Sequence, residues 1–252
     1  MSNRLNVMSA AGDHAPLALE VARKAARTAG GQEVEIIAGL AFSLARGETA
    51  ALIGPSGCGK STLMRILAGL DGEYEGSMRR PPDVRVAMAF QEPRLLPWRN
   101  VEDNVRIAAP DSSVEERAAL FANLGLSEHR THYPGELSLG LARRASLARA
   151  LAAKPGLLLL DEPFVSLDPP LARAIRADLA RLIENQRLSA VLVTHDVEDA
   201  LDLADVIYVL SPRPARILGA VRIETPRFAL PPQRRLALAA EVERLRASPA
   251  SA

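Results

Sequence analysis

Residues 49–62 read Thr49-Ala50-Ala51-Leu52-Ile53-Gly54-Pro55-Ser56-Gly57-Cys58-Gly59-Lys60-Ser61-Thr62. Thr49–Ile53 is an apolar run of the length of a buried strand. Gly54–Gly59 is rich in glycine. Ser61–Leu70 then carries Leu63, Ile66, Leu67 and Leu70 at helical spacing. The order is strand, loop, helix, and Gly54 to Ser61 matches the phosphate-loop pattern G-x-x-x-x-G-K-[ST]. Glycines let the backbone turn tightly and bring its N–H groups against phosphate oxygens. The helix start that follows adds the positive end of its dipole. Lys60 has the reach for β- and γ-phosphates, and the Ser61 hydroxyl suits Mg²⁺. Gly54, Pro55, Ser56, Gly57, Cys58, Gly59, Lys60, Ser61 and Thr62 are therefore the candidate nucleotide-binding residues.

A second apolar strand, Leu157-Leu158-Leu159-Leu160, ends in Asp161-Glu162. Acids at the carboxyl end of a parallel strand lie where an open α/β sheet binds its ligand. Asp161 is the candidate partner of Mg²⁺ and Glu162 the candidate general base toward an attacking water.

Working outward, Val84–Phe90, Ala190–Val193 and Val206–Leu210 read as further strands, and Ile217–Ile223 as a last strand or hairpin arm. Arg173–Ile183 and Glu198–Leu203 read as helices between them, and Gln233–Arg246 as an amphipathic helix that is either a cap on the core, the favoured reading, or a regulatory contact. The strand signal vanishes from Gln91 to Lys154, where Val114–Leu124 and Leu141–Ala153 read as helices. Glu33–Leu44 reads as an edge strand. Residues 1–20 read as a polar, partly disordered lead in which a strand begins at Leu17–Val21. Alternating strands and helices predict an α/β fold with a mainly parallel sheet covered on both faces. The expected architecture is one domain over 1–252, with a small antiparallel layer near the N-terminus and an inserted helical subdomain at 91–154.

Composition narrows the function. Lys+Arg 31 against Asp+Glu 30 gives a net charge of +1, without the basic excess of a dedicated nucleic-acid binder. Hydrophobic residues at 48% fit a packed globular chain rather than a disordered one. Cys58 is the one cysteine, which excludes an internal disulfide and a multi-cysteine zinc site. No window approaches the roughly 20 apolar residues of a transmembrane helix, and the first residues carry no signal-peptide pattern. A cytoplasmic protein that does any membrane work through a partner is expected.

With both motifs in place, the chain from about Glu35 to Leu218 resembles the ATP-binding subunits of ABC transporters. Gln91 sits where that family has its Q-loop glutamine. Leu137-Ser138-Leu139-Gly140-Leu141 occupies the signature position, Ser166-Leu167-Asp168 looks like the D-loop, and His195 looks like the switch histidine. The stretch Phe90-Gln91-Glu92-Pro93-Arg94-Leu95-Leu96-Pro97-Trp98, with Val101 and Asn104-Val105, is similar to the nitrate, sulfonate and taurine importer branch, as is Ser211–Ile217.

The resemblance implies an ATPase with the fold of that family, powering an importer for nitrate, sulfonate, taurine or a similar small solute. It implies a head-to-tail pair with ATP between the phosphate loop of one subunit and Ser138 and Gly140 of the other. It makes Glu162, His195 and Lys60 catalytic, and Ser61, Gln91 and Asp161 the Mg²⁺ group. It also implies an integral membrane permease, an indirect extracytoplasmic solute-binding protein, no nucleic-acid partner, and a place on the inner face of the membrane. Trp98 divides evenly between a core aromatic and a partner contact, while His14, His129 and His132 read as surface residues. Leu139 and Leu141 depart from the family's signature. That keeps open the alternative of a degenerate subunit that binds ATP and regulates with weak turnover. Val21–Gly31 holds no aromatic residue to stack on adenine.

Overall fold

Strand β1, Leu17–Arg27, runs antiparallel to β2, Glu33–Leu44, and on its other side to β4, Glu75–Arg79. They form a three-stranded sheet in the order β2-β1-β4. The computed structural model describes residues 17–165, 167–224 and 230–247. The expected lead at 1–16 and His14 lie outside the described residues. The strand expected to begin at Leu17–Val21 does begin at Leu17, and β1 runs on through Lys24 to Arg27. Buried residues Leu17, Leu19 and Val21 alternate along it, the period of a half-buried strand. Edge strand β4 has no apolar run to announce it. Its approach to β1 is set by Gly76, where a Cβ would meet the Glu20 carbonyl oxygen at 2.0 Å.

The second sheet has six strands: β3 (Thr49–Ile53), β5 (Val86–Ala89), β6 (Leu157–Asp161), β7 (Ser189–Thr194), β8 (Val206–Leu210) and β9 (Ile217–Arg222). Their order is β5-β6-β7-β3-β8-β9, parallel except for β8-β9. Every residue of β3, β6, β7 and β8 is buried, which explains their unbroken apolar runs. Successive side chains feed two separate cores. Ala51, Ile53, Leu158, Leu160, Ala190 and Leu192 face one, and Ala50, Leu52, Leu157, Leu159, Val191 and Val193 the other. Each fully buried leucine or valine is worth about 1.5–3 kcal/mol.

The second core is closed by helix α1, Lys60–Leu67, and the antiparallel sheet. The first is closed by α5 (Pro169–Gln186), α6 (Val197–Leu203) and α7 (Pro232–Ala247). Leu238 and Val242 of α7 are buried, so the C-terminal helix does cap this core. Between β5 and β6 lie α2 (Val101–Ala108), α3 (Val114–Asn123) and α4 (Leu139–Ala152). Helix α2 is a finding beyond the sequence reading. It is short and polar, but Asn100 caps it by accepting a hydrogen bond from Asp103 N. Among the described residues no helix is long and apolar enough to cross a membrane.

Candidate nucleotide-binding and hydrolysis site

Strand order brings the candidate residues together. β3, β7 and β6 are neighbours, with Ile53 opposite Thr194 and Asp161 opposite Val193. Their carboxyl ends carry the phosphate loop, His195, and Asp161-Glu162, along one edge of the sheet. Alternation then decides where each acid points. Asp161 follows Leu160 and so faces the same side as Leu157 and Leu159, the side covered by α1. α1 begins with Lys60 and Ser61, and the Ser61 hydroxyl faces the Asp161 carboxylate.

The loop is locked by contacts that only glycine permits. Gly59 has φ +126°, and a Cβ there would lie 2.9 Å from Ile36 Cγ2. Lys60 is buried, and its Nζ donates to Gly54 O at 2.8 Å and Pro55 O at 3.0 Å. Arg213 donates to Gly57 O at 2.7 Å. Ser61 and the crest residues Pro55, Ser56 and Gly57 are exposed, with Thr62 half-buried beside them. Cys58 is buried, and burial pushes its thiol up, against the opposing pull of Lys60.

Asp161 is 4% exposed, and its Oδ1 has no hydrogen-bond partner among the protein groups. Burial pushes its carboxyl up, partly opposed by the Ser61 hydroxyl, while neighbouring Glu162 pushes it further. An orphaned buried carboxylate oxygen beside a serine hydroxyl is an oxygen donor set that suits a hard cation such as Mg²⁺.

Glu162 takes a left-handed backbone, φ 48°, as the chain leaves β6, and its N–H donates to Val193 O at 2.9 Å. That turn aims its side chain, 14% exposed, at His195, and Nδ1 to Oε2 is 3.4 Å. A half-buried carboxylate and an open imidazole, 56% exposed, thus share one face.

The remaining candidates come from the end of β5 and the start of α4. Gln91 is exposed, two residues beyond β5. Ser138 is the exposed N-cap of α4, accepting from Leu141 N at 3.3 Å, and Gly140 is in its first turn. The helix therefore starts at Leu139 rather than Leu141. Leu139 is helical and 53% exposed, so its side chain neither strains the backbone nor fills the core. Helix α4 also holds the neighbouring loops. Arg143 donates to Val165 O, and Arg149 donates to Pro93 O at 3.1 Å and Arg94 O at 2.8 Å. Ser166 is outside the described residues, while Asp168 caps α5 through Leu171 N.

Trp98 is 68% exposed, which removes the core-aromatic reading. Its loop is shaped by Asn104, 1% exposed, which accepts from Leu96 N and donates to Leu96 O, Arg99 O and Asn100 O. His129 and His132 are half-buried against each other, Nδ1 to Nδ1 3.0 Å, rather than simple surface residues.

The ABC transporter family model matches residues 37–165. The chain belongs to the ABC transporter ATP-binding family. It is 42% identical over 200 residues to the aliphatic sulfonates import ATP-binding protein SsuB 2 of Burkholderia lata, covering 76% of this chain and 73% of that one. It is 46% identical over 193 residues to SsuB of Granulibacter bethesdensis, covering 76% and 79%. Among solved structures, it resembles the dimeric post-hydrolysis state of the ATP-binding cassette MJ0796 bound to ADP and Pi. The TM-score is 0.71 at 25% identity, covering 83% of this chain and 99% of that one. These likenesses make the protein an ABC-type ATPase of the sulfonate-importer branch.

Proposed function

We propose that this chain is the ATP-hydrolysing subunit of a membrane importer for aliphatic sulfonates. The substrate class is carried by its relatives, which are aliphatic sulfonates import ATP-binding proteins. The observation that carries the hydrolytic mechanism is the convergence of Lys60, Ser61, Asp161, Glu162 and His195 at the carboxyl ends of β3, β6 and β7.

In this reading the exposed loop amides and Lys60 bind the ATP phosphates. Lys60 exchanges the Gly54 and Pro55 carbonyls for phosphate oxygens. Asp161 and Ser61, with Gln91 brought up from its loop, hold Mg²⁺, which neutralises charge on the phosphates when bound. Glu162 accepts the proton of the attacking water, and His195 orients that water and the γ-phosphate against it. Exposed Ser138 and half-buried Gly140 meet the γ-phosphate of a second copy in a head-to-tail pair, consistent with the dimeric form of the MJ0796 cassette. The helical insertion 91–154 with its exposed Trp98 is the subdomain that meets the permease, which places the chain on the inner face of the membrane. A solute-binding protein contributes only through that permease, and no nucleic acid takes part. The regulatory alternative rested on Leu139 and Leu141; Leu139 is helical and exposed, and Lys60, Asp161, Glu162, Gln91 and His195 are all present to support turnover.

Steady-state ATP hydrolysis by the purified chain, beside Glu162→Gln, tests the catalytic part. Turnover in the parent and none in the variant is expected. Equal rates would remove Glu162 from the mechanism. Sulfonate uptake by cells carrying or lacking the chain tests the cargo.

A further inference from the structure

His195 lies in the turn between β7 and α6, and its ring meets Glu162 at 3.4 Å while more than half of it faces solvent. A cleft of about 400 Å³, lined by Phe164, Arg176, His195 and Asp199 among others, opens beside it. The ring therefore needs an external brace to hold one position.

That brace begins at Thr194. Strand alternation turns its side chain toward α5 and α6, the opposite side from Asp161. Its hydroxyl donates to Asp199 Oδ2 at 2.9 Å and accepts from Asp196 N at 3.0 Å, so one oxygen fixes both neighbours of His195. Asp199 is 4% exposed and is paired with Arg176 of α5. Arg176 also stands 5.9 Å over the ring of Phe164, two residues beyond Glu162. A single guanidinium thus bears on the segments that carry both members of the Glu162–His195 pair. Its Nε faces Asp202 Oδ2 at 3.0 Å, and the other oxygen of Asp202 is held by Arg235 of α7 at 2.7 Å. Arg235 also takes Glu198 at 2.8 Å. The charges form one path from the C-terminal helix to the histidine turn.

The geometry points to Arg176 and Arg235 as positioning residues for His195, through which helix α7 sets the turnover of the site. The inference rests on the catalytic reading above. A plain helix-packing role is a weak explanation for these charges. Buried ion pairs recover little more than their desolvation cost, and apolar contacts of equal volume would hold the helices as well. What the hydrogen bonds from Arg176 and Thr194 to Asp199 add is fixed direction at the histidine turn, and the ion pairs at Asp202 tie α7 to the same guanidinium.

Arg235 is the residue to change, since it is partly exposed and remote from nucleotide. Arg235→Ala and Arg235→Lys are compared with the parent in two measurements. The first is the histidine ring spectrum by ¹H–¹⁵N NMR, with the His195 signal identified by its loss in His195→Gln. The second is kcat and KM for ATP. Arg235→Ala is expected to move the His195 signal while those of His129 and His132 stay. It is also expected to lower kcat about 3- to 10-fold with KM within about two-fold. Arg235→Lys is expected to recover at least half of the kcat loss. An unmoved His195 signal, or a loss carried by KM, would overturn the inference. Glu162→Gln is run in parallel. If it retains turnover, the catalytic reading fails, while the His195 signal still decides whether α7 reaches the histidine.

Discussion

The two halves of the proposed site are built in opposite ways. In the sheet half, Lys60 and Asp161 are buried, Glu162 is nearly so, and Lys60 is already hydrogen-bonded within the chain. In the helical half, Gln91, Ser138 and Leu139 are exposed on loop and helix-start positions. A group that must carry charge through a reaction needs a fixed, water-poor setting. A group that meets a second copy must wait at the surface. In the proposed function this difference gives chemistry to the sheet and assembly to the helices.

The largest effect that comparison predicts is in the sheet. Glu162→Gln should lower kcat by about 10²- to 10⁴-fold, the usual worth of a positioned general base. ATP binding should persist, because the loop and Lys60 are untouched. Turnover kinetics beside a direct ATP titration would read both. Retained turnover would break the division of labour at its strongest point. Lys60→Ala should act the other way, on binding. Removing a charge-assisted donor costs about 1.5–3 kcal/mol, or roughly 10- to 100-fold in ATP affinity. Unchanged affinity in the titration would contradict the loop's role.

How much of each half the sequence discloses follows the same division. The phosphate loop is legible because chemistry dictates its spacing, and strands β3, β6, β7 and β8 because burial on both faces demands unbroken apolar runs. Strand β1 past Val21 is not legible. Arg23-Lys24-Ala25-Ala26-Arg27 is a string of good helix formers, drawn into a strand by pairing with β2 on its whole length. Helix α2 hides for a related reason. It is only eight residues long with charged residues between its apolar ones, and its place depends on Asn104 and the Glu102 ion pairs. The brace from Arg235 to Thr194 is illegible altogether. Its members look like ordinary surface charges until the fold brings α5, α6 and α7 together.

Those ion pairs of α2 give a third, smaller prediction, in the helical half. Glu102 binds Arg117, 8% exposed, and Arg130, each at 2.7 Å. Burial alone would raise the Glu102 carboxyl, but the two arginines outweigh it and hold the carboxyl below its usual range. A lowered carboxylate stabilises the fold above its ordinary pKa of about 4.3, and that support is lost as pH falls through the lowered value. Glu102→Gln should cost about 2–4 kcal/mol near neutral pH by leaving Arg117 unpaired. It should also flatten the acid limb of the stability curve. Denaturant melts between pH 7 and 3 would show both. A variant with the parent's acid slope would place the acid-sensitive pair elsewhere.

The smallest effect is expected at Leu139. Its side chain is 53% exposed on the first residue of α4, where Ser138 rather than residue 139 supplies the cap. Leu139→Gly removes no packed surface and lies in the first turn, so it should cost less than about 1 kcal/mol in stability. Steady-state ATPase activity should stay within about three-fold of the parent, under 1 kcal/mol of barrier. If the glycine raised turnover by 10-fold or more, the leucine would be a brake at the face where two copies meet. The helical half would then control the rate as well as the assembly. A silent substitution would leave the rate to the sheet half, with the helix start serving as the seat on which the second copy's nucleotide closes.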